Sequence, residues 1–138
     1  MNYSANLLKI LGIKLATMLT KKKQLPEERL FQSIILQAFE DVLSNSNTKL
    51  ETYFKIDAYE WFTKKPEDFQ NICWLAGLDP DVVSDQVNSL KKRKVIKFND
   101  VQRKWNEYRS LYRDYRAVKT AGERKEIMVK ILRLKIKS

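Results

Sequence analysis

Arg109, Arg113 and Arg116 repeat at spacings of four and three, and Tyr108, Tyr112 and Tyr115 repeat the same spacings one residue earlier. Residues three and four apart share a helix face, so this pattern lays a cationic stripe beside an aromatic one. A guanidinium fork matches the oxygens of a phosphate, and a phenol ring can stack on an exposed base. The arginines are expected to meet phosphate, while the tyrosines are expected to pack the seam of a helical hairpin. Arg124 and Lys125, with Arg103, Lys104, Lys130, Arg133, Lys135 and Lys137, extend the positive field. A second basic run, Lys91, Lys92, Arg93 and Lys94, closes an earlier helix, and Ser84, Gln86 and Asn88 precede it with side chains able to touch a base edge. Together these form the expected nucleic-acid contacts.

Catalytic chemistry finds little to use. There is no histidine, the commonest general base. The single cysteine, Cys73, sits in an apolar run, excludes an internal disulfide and reads as a small core side chain. Carboxylates pair as neighbours at Glu27/Glu28, Glu40/Asp41 and Glu67/Asp68, and neighbours on a helix point about 100° apart. Asp79, Asp81 and Asp85 lack the spacing of a calcium loop. No phosphate-binding loop, nucleophile elbow or zinc motif is present. The chain is therefore expected to be no enzyme and to carry no cofactor and no metal.

The charge is distributed unevenly along the 138 residues, whose formal net charge is +10. Residues 1–23 carry five lysines and no acid, residues 24–90 carry a net −7, and residues 91–138 carry a net +12. Basic flanks around an acidic middle point to a polyanionic partner, DNA before RNA. The apolar stretch Leu7–Leu19 is interrupted by Lys9 and Lys14 and is shorter than the roughly 20 residues a bilayer requires. It also lacks the layout of a secretory signal. A cytoplasmic location is expected and membrane binding is not.

Elements able to position these groups can be read from periodicity and breakers. Glycine and proline number only three each, which favours helices over strands and turns. One helix is expected over residues 5–21, with Leu8, Leu11, Leu15 and Leu19 on a wide apolar face. Pro26 opens a second, so rich in apolar residues that it should be buried on most sides. Thr48 to Glu51 has capping-box spacing, and Leu50, Tyr53, Phe54, Ala58, Trp61 and Phe62 follow as its apolar positions. Two shorter helices meet at Ala76-Gly77-Leu78, with Asp79 as N-cap and Pro80 in the first turn of the second. Val95 to Phe98 reads as a short extended link. Asn99 and Asp100 cap a helix whose seam is Val101, Trp105, Tyr108, Tyr112 and Tyr115, and Lys119 to Gly122 breaks it before a last helix.

Two resemblances rest on this region. Cys73, Ala76, Gly77 and the stretch Val82 to Ile96 resemble the helix-turn-helix, recognition helix and first strand of winged-helix regulators over residues 66–98. That implies DNA contact, and the aspartates 79, 81 and 85 at the end that would face bases imply little sequence preference. Asp68-Phe69-Gln70-Asn71-Ile72-Cys73-Trp74-Leu75-Ala76-Gly77-Leu78-Asp79-Pro80-Asp81-Val82 resembles a segment of small phage- and prophage-type bacterial proteins of unassigned function, implying a bacterial or phage origin.

The expected architecture is thus all-α: a bundle of six or seven helices with a helix-turn-helix-like pair. Three parts are expected: a basic amphipathic helix at 1–23, a helical core at 24–98 and a basic C-terminal αα-hairpin at 99–138. The expected function is a small DNA-binding protein, regulatory or nucleoid-type. The alternatives are a helical module for self-association as a homodimer or for holding a protein partner, and a peripheral binder of anionic membrane.

Overall fold

The computed structural model describes residues 9–21 and 24–136. Among these residues all regular structure is helical and no strand forms. The bounded helices are α1 (Ile13–Leu19), α2 (Pro26–Leu43), α3 (Lys49–Lys64), α4 (Glu67–Leu75), α5 (Pro80–Lys92), α6 (Asp100–Ala117) and α7 (Ala121–Arg133). A further helical stretch closes at Leu11, one element more than the six or seven expected. The extra element arises because the N-terminal helix is broken at Gly12, whose φ of 88° belongs to the left-handed region that favours glycine. The carbonyl of Gly12 accepts the first bond of α1, from Ala16 N at 2.9 Å. Residues 5–8 of that expected helix lie outside the described residues.

The chain divides into two compact units, each assembled from two separate stretches. The first comprises Met1–Leu43 and Asp57–Lys97, and the second comprises Ser44–Ile56 and Phe98–Ser138. The change of unit after Lys97 lies one residue before the expected division between 98 and 99, so Phe98 belongs with the second unit. Residues 44–56, expected with the core, cluster instead with the hairpin.

The first unit has an apolar core. Leu11, Leu15 and Leu19 are buried in it with Ile35, Phe39 and Val42 of α2 and Val83, Val87 and Leu90 of α5, so the apolar face of the N-terminal segment packs on its own unit. Four rings form the centre: Phe39 and Phe62 lie 4.7 Å apart, Trp61 and Phe69 4.9 Å, and Phe62 and Phe69 5.9 Å at 82°. Edge-on pairs of this kind add about 0.5–1.5 kcal/mol each beyond area burial. In α2 the expectation of burial on most sides is corrected, since Leu30 is 61% exposed and Ile34 is also exposed.

α4 and α5 form the expected close pair. α4 ends in a Schellman motif, with Leu78 N donating to Cys73 O at 2.8 Å and Gly77 N to Trp74 O at 3.0 Å. Buried Gln32 of α2 donates from Nε2 to Ala76 O at 2.9 Å, satisfying the carbonyl at the turn. Gly77 has φ 75°, and a Cβ there would lie 2.9 Å from Glu28 Oε2. No strand follows α5, since Val95 and Ile96 lie in a bend and residues 97–99 carry no regular structure. The extended link and the winged-helix strand are therefore absent: α5 closes with Lys94 at φ 62° and Val95 N donating back to Leu90 O, which turns the chain where a strand would have to run straight.

In the second unit α6 and α7 form the expected hairpin. Thr120 caps α7 by accepting from Glu123 N at 3.3 Å, so Gly122 lies inside the helix and not in the break. The first half of α3 turns its apolar residues outward: Leu50 and Phe54 are 62% and 49% exposed, while Thr52, Lys55 and Ile56 are buried. Gly77→Ala is expected to destabilise the first unit by about 1–2 kcal/mol through its left-handed backbone alone, more if Glu28 cannot move. A lowered urea midpoint with an unchanged slope in far-UV circular dichroism would show it.

Candidate nucleic-acid interface

The second unit concentrates the charge. It holds fourteen basic and six acidic residues, a net +8 out of the chain's +10. Its buried side chains are chiefly polar: Thr52, Lys55 and Gln102, with Ile56 and Ile131 as apolar companions. A unit with so little oil inside must be held by directed bonds, and Gln102 supplies them. Its backbone N donates to Asn99 Oδ1 at 2.8 Å while its Oε1 accepts from Asn99 N at 3.0 Å, a complete capping box for α6. The same Oε1 accepts from Lys55 Nζ at 3.0 Å. Its Nε2 donates to Ser44 O and Ser46 O, both at 3.0 Å. Lys55 Nζ also donates to Ser44 O at 2.6 Å and lies 4.7 Å from the centre of the Phe98 ring. Trp105 adds Nε1 to Asn47 O at 2.9 Å. These bonds pin the 44–47 loop and the start of α3 against the first turns of α6.

That pinning creates a groove. Lys49 and Tyr53 of α3 face Tyr108, Arg109, Tyr112, Tyr115 and Arg116 of α6 around about 480 Å³, a volume in the range of ligand pockets. The Arg109 guanidinium lies 4.7 Å from the Tyr53 ring centre, and Lys49 Nζ lies 5.3 Å from Tyr108 and 5.9 Å from Tyr53. The α6 rings form a ladder: Trp105 to Tyr108 at 5.3 Å, Tyr108 to Tyr112 at 4.8 Å and Tyr112 to Tyr115 at 6.1 Å. Arg116 Nε donates to Tyr112 O at 3.3 Å. Burial, then the neighbouring Tyr108, pushes the Tyr53 phenol above its usual range, with Arg109 pulling the other way. A hydrogen bond with Tyr108 does the same to Tyr112. Both phenols therefore hold their protons more firmly than a free tyrosine.

The expected contact residues are dispersed. Arg109 and Arg116 line the groove, whereas Arg113 is exposed on the same helix outside it. Arg124 and Lys125 are exposed on α7, where Arg124 Nε and Nη2 both donate to Val118 O at 3.3 Å. In the first unit Lys91, Lys92, Arg93, Lys94 and Asn88 are exposed. Two expected contacts there are corrected: Ser84 is 2% exposed and faces the core, and Gln86 spends its Nε2 on Ile10 O at 2.8 Å. The tyrosines are only partly buried and form a groove wall, where sequence periodicity suggests a closed seam. Lys49 and Tyr53 escape the sequence reading. Their i, i+4 spacing puts them on one face, but only the outward turn of Leu50 and Phe54 shows which face meets α6.

Among the described residues no group of three or more histidine, cysteine, aspartate or glutamate side chains is placed to hold a metal ion. No helix among them is long and apolar enough to cross a membrane. No family model, no curated protein and no solved structure matches this chain.

Burial pushes the Lys55 ammonium down from 10.5 to about 8. Below that pH both folded and unfolded chains hold the proton and the penalty is constant. Between about 8 and 10.5 the unfolded chain holds more protons, so stability should rise with pH. Tyr53 and Tyr112 shift in the opposite sense near the ordinary tyrosine value of 10, and so does the Cys73 thiol, which burial pushes up from 9.0 to about 12. The thiol opposes the climb first, so the test window is about pH 8 to 9. Across it the urea midpoints of the wild type should climb and those of Lys55→Met should fall slightly. At pH 7 that variant should differ from wild type by only about 1–2 kcal/mol, because Ser44 O and Gln102 Oε1 each keep another donor.

Proposed function

We propose that this protein binds nucleic acid, with the second unit as the part that contacts it and phosphate as the group it chiefly holds. The observation that carries this reading is the groove: three cations and four phenols line it, and no carboxylate does. A net +8 on one unit adds a long-range pull on any polyanion. Arg113, Arg124 and Lys125 extend the contact beyond the groove, and the exposed run Lys91–Lys94 of the first unit offers further phosphate contacts. DNA is the first candidate, bound with little sequence preference, because Ser84 is buried and Gln86 is bonded to Ile10 O, which leaves Asn88 as the exposed one of the three expected base contacts. The anionic-membrane reading, and self-association through the N-terminal helix, lose support because Leu11, Leu15 and Leu19 are buried in the first unit; self-association through the α6–α7 hairpin does not depend on that helix.

Phosphate-led binding has a defined salt signature. Each phosphate neutralised on duplex DNA steepens the dependence of log K on log salt by about 0.9. The triple variant Arg109→Ala, Arg113→Ala, Arg116→Ala should flatten that slope by about 2 to 3. Anisotropy of a labelled generic duplex across a salt series measures it. Absence of wild-type binding at low salt would defeat the reading, and so would an unchanged slope in the variant.

A further inference from the structure

We propose that the groove between α3 and α6 takes an unpaired base together with its flanking phosphates, so that the strand it prefers is single. This rests on the nucleic-acid reading above and narrows it to one state of the polymer.

Phosphate alone would need only the cations, yet four of the seven lining residues are tyrosines. An aromatic wall offers flat faces. In a duplex those faces would meet nothing suitable, because each base is covered above and below by its neighbours and only edges and phosphates are exposed. An unpaired base presents its own face, and stacking on an aromatic side chain is largely indifferent to which base it is.

The arrangement along the groove fits this occupant. Lys49 and Arg109 stand at one end, over Tyr53 and Tyr108. Arg116 stands seven residues further along α6, about 10 Å along the helix axis. Tyr112 lies between them, with Tyr115 beside Arg116, and both remain partly exposed. Charge thus stands at either end of a ring wall, as a base with a phosphate on each side would require. The spacing of the rings supports a fixed surface, since Tyr112 is held 4.8 Å from Tyr108 and 6.1 Å from Tyr115. The absence of a carboxylate from the lining disfavours a basic ligand, and the rings exceed what an acidic peptide would need.

The test uses the full chain and three labelled probes of equal length: an oligothymidylate, a strand of the same backbone with abasic sites, and a duplex. At equal salt the oligothymidylate should bind about tenfold or more tighter than the abasic strand. Tyr112→Leu should lose about five- to tenfold on the oligothymidylate and nothing on the abasic strand, which also shows that the variant is folded. Tyr112→Phe, which keeps the ring, should restore the difference. Equal binding of base-bearing and abasic strands would overturn the single-strand proposal and leave the phosphate reading standing. Tighter binding of the duplex than of the oligothymidylate would overturn it in the same way. Displacement of the oligothymidylate by polyglutamate as readily as by unlabelled strand would overturn it in favour of an acidic protein partner. Failure to bind any of the three probes would remove both readings together.

Discussion

Lys55 Nζ is buried in a unit that offers it carbonyl oxygens and an amide in place of water, and much of the second unit follows from that constraint. Its bonds to Ser44 O and Gln102 Oε1 can form only if the loop before α3 and the first turn of α6 meet at one place. Gln102 then answers with its own capping box and two further bonds to the loop. Hydrogen bonds are directional where apolar burial is not, so this polar centre sets a register between α3 and α6 that greasy packing would leave loose. The groove depends on that register. A turn of α6 by one residue would rotate the tyrosine face by about 100° and carry Tyr112 away from the Lys49 and Tyr53 side.

The two units thus represent two ways of holding helices together. The first excludes water with interlocked rings and aliphatic side chains and uses Gln32 to satisfy the turn carbonyl of Ala76. The second exposes much of its apolar surface, Leu50, Phe54 and Leu132 among it, and keeps its interior polar. Electrostatic self-repulsion in a unit of net +8 opposes compaction, and bound polyanion would relieve it. Stability of this unit and occupancy of its surface are therefore expected to be linked.

Much of this was legible from residue types, and what was not has an identifiable cause. Breakers and caps act locally, so Pro26, Asp79-Pro80 and Asn99 mark the starts of α2, α5 and α6 directly in the sequence. Gly12 was missed because an isolated glycine within an apolar helical pattern is compatible with continuation, and only the left-handed turn at φ 88° separates the two readings. The stripe of tyrosine and arginine on α6 was visible, but its partner was not: Lys49 and Tyr53 lie more than fifty residues earlier, and local periodicity cannot say which remote helix a face meets. For Lys55 and Gln102 the sequence argues against burial, since charged and amide side chains are mostly exposed. Only their mutual bonding explains their place. Ser84 shows the opposite error, a small polar residue read as a surface contact that lies on the inner face of α5 among Val83 and Val87.

Each unit is stitched from stretches that the other interrupts, and that interleaving bears on how the chain comes off a ribosome. Residues 44–56 emerge early, with the polar face of Thr52 and Lys55 ready for partners that do not yet exist, and Gln102 follows only after some forty further residues have been made. The first unit can in principle close as soon as Ile96 is free, whereas the second must wait for the tail of the chain. Once Ile96 has cleared the ribosome, the oil-cored body can be complete while the polar one is still being threaded out. The nascent protein would then have its hydrophobic surface sheltered before its most highly charged segment had emerged.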